Sequence, residues 1–235
     1  MGTHSSSGSG FVLFSIITLF YVITKYIYSS GGTTSTKGWM IFGIYICIAT
    51  IVMAATNTFT VGRNCKAVNK SITRSKVWQY TLLFFTLPMT IMSLMLTSFT
   101  GWLTPFSNTI GYAVSNFLIG EDVVKLLRKP ELNTPLPEKV GASISWIYSN
   151  PTIFLNALKP DDLSGPNWDS FSSTIFNIPT DDDNVKNIQD SLFKFLILKD
   201  TVSEAIWFLL VGWLCSTISE NMANKYGCTG IKVKQ

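Results

Sequence analysis

The sequence predicts an all-α integral membrane protein of four to five transmembrane helices, with a Pro-rich irregular extramembrane segment. Three observations predict it. Residues 1–120 carry seven Lys and Arg but no Asp or Glu, and all 14 acids fall from Glu121 onward. Uncharged apolar runs recur at the length of about 20 residues that a helix needs to cross a bilayer. Seven of the nine prolines lie in 121–201, where no such run occurs. A soluble surface mixes both charge signs to stay solvated, so an amino-terminal half without a carboxylate is suited to hydrocarbon.

Residues 1–10 are small and polar and read as a flexible tail. The opening Met1-Gly2-Thr3-His4-Ser5-Ser6 fits the myristoylation pattern at Gly2. A membrane helix close behind makes a fatty chain redundant, so a plain tail is the simpler reading. Residues 11–120 form the membrane domain. Its first span is 11–28, uncharged until Lys25 and closed by Tyr26 and Tyr28 at the interface. The second is 38–59, opening on Trp39, and the third is 77–99, starting with Trp78 and Tyr80. Pro88 removes a backbone donor near the middle of the third span and predicts a kink.

Residues 101–119 are more polar, with Asn108 and Asn116 among their apolar side chains. Ser107, Gly111 and Ser115 recur four apart, which puts small residues on one helical face and lets a neighbouring helix approach. A fourth span buried in a bundle is the first reading, and a re-entrant or interfacial helix the alternative. Pro88, Ser107, Asn108, Gly111 and Ser115 are the candidate helix-packing residues.

From Glu121 the composition changes to mixed charge, and 121–201 is expected to hold short helices and extended pieces that dock on other proteins. Its aromatic residues Trp146, Tyr148, Phe154, Trp168, Phe171 and Phe176 are candidate partner contacts. The competing reading is that they make a small private core. Thr180-Asp181-Asp182-Asp183 predicts a helix start, with acids facing the positive end of the dipole. Three successive aspartates diverge around a helix, so a metal cage is disfavoured. Thr201-Val202-Ser203-Glu204 has the spacing of a capping box and predicts the start of a carboxyl-terminal membrane helix at 202–222, followed by a tail at 223–235.

Charge sets an expected orientation. Arg63, Lys66, Lys70, Arg74 and Lys76 follow the second span without an acid, which places 60–76 and the amino terminus on the cytosol-equivalent side. Five crossings would put 121–201 there too and the carboxyl terminus opposite, where Lys225, Lys232 and Lys234 count against the scheme. The sequon Asn69-Lys70-Ser71 then stays without glycan.

Composition also excludes chemistry. His4 is the single histidine and sits in the tail, which removes His-based metal sites and general bases. Cys47, Cys65, Cys215 and Cys228 lack metal-ligand spacing, and no phosphate-cradling loop or nucleophile elbow occurs. No enzyme, cofactor or small-molecule substrate is inferred. No basic run interleaved with aromatics points to nucleic acid; the cations of the apolar half suit anionic lipid instead. Lys25 and Glu204 lie near span ends, so a proton relay lacks members.

The kinked third span and the following Gly101-Trp102-Leu103-Thr104-Pro105-Phe106-Ser107-Asn108-Thr109-Ile110-Gly111-Tyr112 resemble multi-pass membrane proteins of large icosahedral DNA viruses of the chlorella-virus and related groups. The resemblance covers residues 80–125. It implies a minor capsid protein that links an internal virion membrane to the capsid shell, with the lipid bilayer and capsid proteins as partners. The alternatives are an accessory subunit of an organellar membrane complex and a small transporter or channel.

Overall fold

The computed structural model describes residues 7–30, 35–64, 70–126, 138–163, 168 and 183–228, and these are helical apart from short connections. In order they form α1 (Ser7–Ser30), α2 (Ser35–Asn64), α3 (Lys70–Thr81), α4 (Leu87–Ser98), α5 (Thr104–Phe106), α6 (Tyr112–Leu126), α7 (Glu138–Ser149), α8 (Pro151–Ala157) and α9 (Asp183–Cys228). Four helices are long and apolar enough to cross a membrane, over Gly10–Ser29, Gly38–Arg63, Arg74–Ser98 and Gln189–Tyr226. The protein therefore has multi-pass membrane character. Residues 101–119 are not among the four: their polar residues, Thr104, Ser107, Asn108, Thr109, Ser115 and Asn116, dilute the apolar run. Calls on Gly2, Phe171 and Phe176 and on most of the 223–235 tail lie outside the described residues.

The chain divides into two compact units, one made of Met1–Trp102 with Glu204–Gln235 and the other of Leu103–Ser203. In the first, α1, α2, the α3–α4 rod and the second half of α9 are arranged inside out. Large apolar side chains are exposed, among them Phe20 and Phe59, each 67 % exposed, with Met40, Ile44 and Leu214. Polar side chains are inside: Thr18, Asn57, Thr81, Ser93 and Ser219 are all buried. No more than 39 % of the apolar window of any span is covered by the protein itself. Water would penalise that arrangement, whereas in hydrocarbon the outward apolar face costs nothing and the polar groups must bond to one another.

They do so. Asn57 Nδ2 donates to Thr81 Oγ1 at 3.0 Å and to Ser219 Oγ at 2.8 Å, and the Thr50 and Thr86 hydroxyls meet at 2.8 Å. Thr18 Oγ1 returns to the Phe14 carbonyl at 2.9 Å and lies 3.1 Å from the Tyr45 hydroxyl. Between these contacts the aromatic rings stack, Tyr21 on Tyr45 with centroids 4.4 Å apart and Phe42 on Phe208 at 5.8 Å. Gly212 permits one close approach, because a Cβ there would collide with the ring of Phe14.

Pro88 is accommodated by a wider turn. Residues Leu82–Thr86 form a π-helical turn, in which the Leu87 N–H bonds to the Leu82 carbonyl five residues back. An α-helical turn would press the Pro88 ring onto the carbonyl of Phe84, so widening the turn relieves the clash and lets the rod continue to Ser98. A second π-helical turn lies at Ser107–Gly111, where the Tyr112 N–H reaches the Ser107 carbonyl; Pro105 before it sits in the first turn of α5, where a missing N–H costs nothing.

The capping box expected at Thr201 does not form. Helix α9 runs unbroken for 46 residues from Asp183, and Thr201 Oγ1 donates back to the Ile197 carbonyl at 2.7 Å as an interior helical threonine does. At 1.5 Å per residue α9 is about 69 Å long, more than twice the hydrocarbon thickness, so part of it lies outside the bilayer. Asp183 is the first described residue of α9, and the helix start predicted at Thr180-Asp181-Asp182 lies outside the described residues.

Candidate functional site

In the unit of Leu103–Ser203, the small face of the sequence is buried: Ser107, Gly111 and Ser115 all point inward. Gly111 lies against the backbone of Lys199, where a Cβ would collide with the carbonyl. Ser107 Oγ donates to Asp200 Oδ1 at 2.6 Å and Ser203 Oγ to the Leu103 carbonyl at 2.7 Å. The Lys199 ammonium is buried and donates to the Leu155 carbonyl at 3.2 Å and to Asn108 Oδ1 at 3.3 Å. These bonds explain why the unit starts at Leu103 and not at the composition change at Glu121: residues 103–120 are fastened to the α9 segment around Lys199.

Beside that polar seam is a core of Val123, Phe154, Leu155, Leu163, Trp168, Leu192, Phe195 and Leu196, with Tyr148 packed against it. Phe154 and Trp168 are therefore enclosed within the unit, and their apolar surface is met by the chain itself. Tyr148 is half-buried, and its burial pushes the phenol up to about 12. Among the six candidate contacts, Trp146 is the exposed one in the described residues. Phe117, at 88 % exposed, was not singled out from the sequence and is, among the described residues, the most exposed large apolar side chain. Leu118 and Ile153 are also exposed.

The unit of Met1–Trp102 with Glu204–Gln235 holds a second polar feature. Lys25 on α1 and Glu204 on α9 form an ion pair, and Tyr21, one turn before Lys25, donates its hydroxyl to Glu204 Oε1 at 2.8 Å. Tyr21 is buried and the pair is largely so. The pair borders a cavity of about 240 Å³ reached also by Trp39, Ser93 and Thr97. An apolar groove of about 740 Å³ lies between α1 and α2, lined by residues such as Ile17, Phe20, Met40, Ile44 and Ile48.

The sequence showed Lys25 and Glu204 only as isolated charges near span ends, and the fold brings them together. The signal was one cation and one anion, each alone in an apolar run, where uncompensated charge is costly and a partner is to be expected. Among the described residues no three His, Cys, Asp or Glu converge on a metal-sized point, and Cys47 and Cys215 are free thiols. No family model, curated protein or solved structure matches the chain.

Proposed function

We propose that this protein is a structural membrane component of a larger assembly, in which the four spans anchor and the unit of Leu103–Ser203 docks on other subunits. One observation carries the reading. That unit encloses its own core yet leaves Phe117, Leu118, Trp146 and Ile153 exposed, outside the three amino-terminal spans. Large apolar side chains left uncovered on a unit that has already formed a core mark contact surface. Residues 80–125 supply the finer form of the proposal through their likeness to virion membrane proteins: a minor capsid protein joining an internal membrane to the capsid shell.

Purification of the full chain from its native membrane in mild detergent tests this. Stoichiometric recovery of shell subunits, reduced by Phe117→Ser or Trp146→Ala while membrane insertion is kept, is the expected result. A lone monodisperse polypeptide overturns the assembly reading, and a respiratory or other organellar complex moves the protein to the accessory-subunit alternative. The Lys25–Glu204 pair beside its cavity favours a second reading, a small transporter. Solute or ion flux through proteoliposomes that is lost on Glu204→Gln would establish that one.

A further inference from the structure

The cavity at the ion pair and the groove between α1 and α2 share Tyr21, Tyr28 and Ile41 as common walls, so a polar pocket and an apolar groove lie side by side. The cavity presents a cation and an anion side by side, Lys25 and Glu204, with the hydroxyls of Ser93 and Thr97 at its edge. The groove offers apolar side chains over a volume of about 740 Å³, within the range of small-molecule sites. Its position fits a bilayer too. The polar cavity gathers the end of the first span, the start of the second and the end of the third, which is one membrane face at headgroup depth.

From this juxtaposition we infer that the protein binds one zwitterionic phospholipid, its phosphate and ammonium held by Lys25 and Glu204 and one acyl chain lying in the groove between α1 and α2. The charges decide the class. A phosphate reaching Lys25 must loosen the bond to Glu204, and an ammonium on the same headgroup restores a partner to that carboxylate. An anionic lipid supplies the first contact and leaves Glu204 facing a phosphate, a repulsion in a low-dielectric site. Tyr21 keeps Glu204 oriented in the exchange through its hydroxyl bond. The inference rests on the membrane character of the four spans and is independent of which assembly the protein joins.

Native mass spectrometry of the full-length chain in detergent, with phosphatidylethanolamine or phosphatidylglycerol of identical chains added, tests it. One phosphatidylethanolamine adduct is expected at a concentration about tenfold below that needed for phosphatidylglycerol, equivalent to about 1.4 kcal/mol. Ile44→Trp fills the groove from an exposed position and leaves the ion pair intact. It is expected to abolish the adduct at unchanged thermal midpoint. Equal uptake of the two lipids overturns the headgroup assignment. An adduct retained in full by a folded Ile44→Trp protein overturns the site. Should that variant not fold, Ile48→Trp on the same wall provides the same reading. Protection from unfolding by phosphoethanolamine, which has no acyl chain, to the same extent as by the lipid also overturns it.

Discussion

Asn57 and Ser219, 162 residues apart, are joined at 2.8 Å inside the span bundle, and the same Asn57 amide reaches Thr81 at 3.0 Å. One side chain thereby ties α2 to both α3 and α9. In hydrocarbon, helices gain nothing by burying apolar surface against each other, so such bonds and close packing hold the bundle. Asn57→Leu is expected to lower stability by about 1–2 kcal/mol and Ser219→Ala by about 0.6 kcal/mol. Denaturation in mixed micelles measures both. The double variant should show a coupling of about 0.6 kcal/mol, and strict additivity would show that the bond contributes nothing.

Two glycines set contact distances where nothing larger fits. At Gly111 the obstacle is the Lys199 carbonyl, a backbone atom that cannot swing aside, so Gly111→Ala should cost about 1–3 kcal/mol. At Gly212 it is the Phe14 ring, so Gly212→Ala should be partly rescued by Phe14→Ala, which vacates the space. Gly101→Ala meets no atom within 4 Å and serves as a control, expected within about 0.5 kcal/mol of wild type. Thermal unfolding in detergent distinguishes the three.

What the sequence made legible follows from which interactions are local. The first three spans emerged within a few residues of Gly10–Ser29, Gly38–Arg63 and Arg74–Ser98, because crossing a bilayer is a property of one contiguous segment. The small face at Ser107, Gly111 and Ser115 was legible for the same reason, since helical spacing alone aligns it. Its destination was not, because Lys199 is far along the chain. Thr201-Val202-Ser203-Glu204 misled because a hydroxyl and a glutamate three apart satisfy a cap and a helix interior equally. Tertiary bonds chose the interior: Ser203 to Leu103, and Glu204 to Tyr21 and Lys25. The aromatics of 121–201 could not be sorted by composition, because a private core and an interface draw on the same side chains.

The Lys25–Glu204 pair makes an asymmetric prediction. Lys25→Met leaves a carboxylate among apolar neighbours with Tyr21 as its remaining donor, a change of about 3 kcal/mol for a broken buried pair. Glu204→Met leaves a long cationic side chain that can extend toward the headgroups, so its cost should be smaller. Replacing both by Met should restore much of the loss, because the desolvation of two charges disappears with them. Thermal midpoints ordered Glu204→Met below Lys25→Met would show that the pair does not face hydrocarbon in the way described.

Tyr148 predicts an alkaline limit on the unit of Leu103–Ser203. Burial holds its phenol neutral to about pH 12, against about 10 for an unfolded tyrosine. Between those values the unfolded chain releases this proton and the folded one keeps it. The contribution to stability is complete below pH 10 and is lost as pH rises from 10 through 12. Ultraviolet difference titration should show a phenol ionising near pH 12 that is lost in Tyr148→Phe, and that variant should lose less stability than wild type over the same interval.

Topology offers the broadest test. Four crossings return the carboxyl terminus to the side of the amino terminus. Lys225, Lys232 and Lys234 then share a side with Arg63, Lys66, Lys70, Arg74 and Lys76, which removes the conflict that five crossings created with the positive-inside rule. Asn69 stands in the middle of that basic stretch and forms a sequon with Ser71. On the cytosolic face it meets no glycosylation machinery, so the wild-type chain made with microsomes should show no glycan at Asn69. A sequon appended after Gln235 should stay unmodified as well. Modification at the appended site alone would require an odd number of crossings, and modification at Asn69 would invert the orientation.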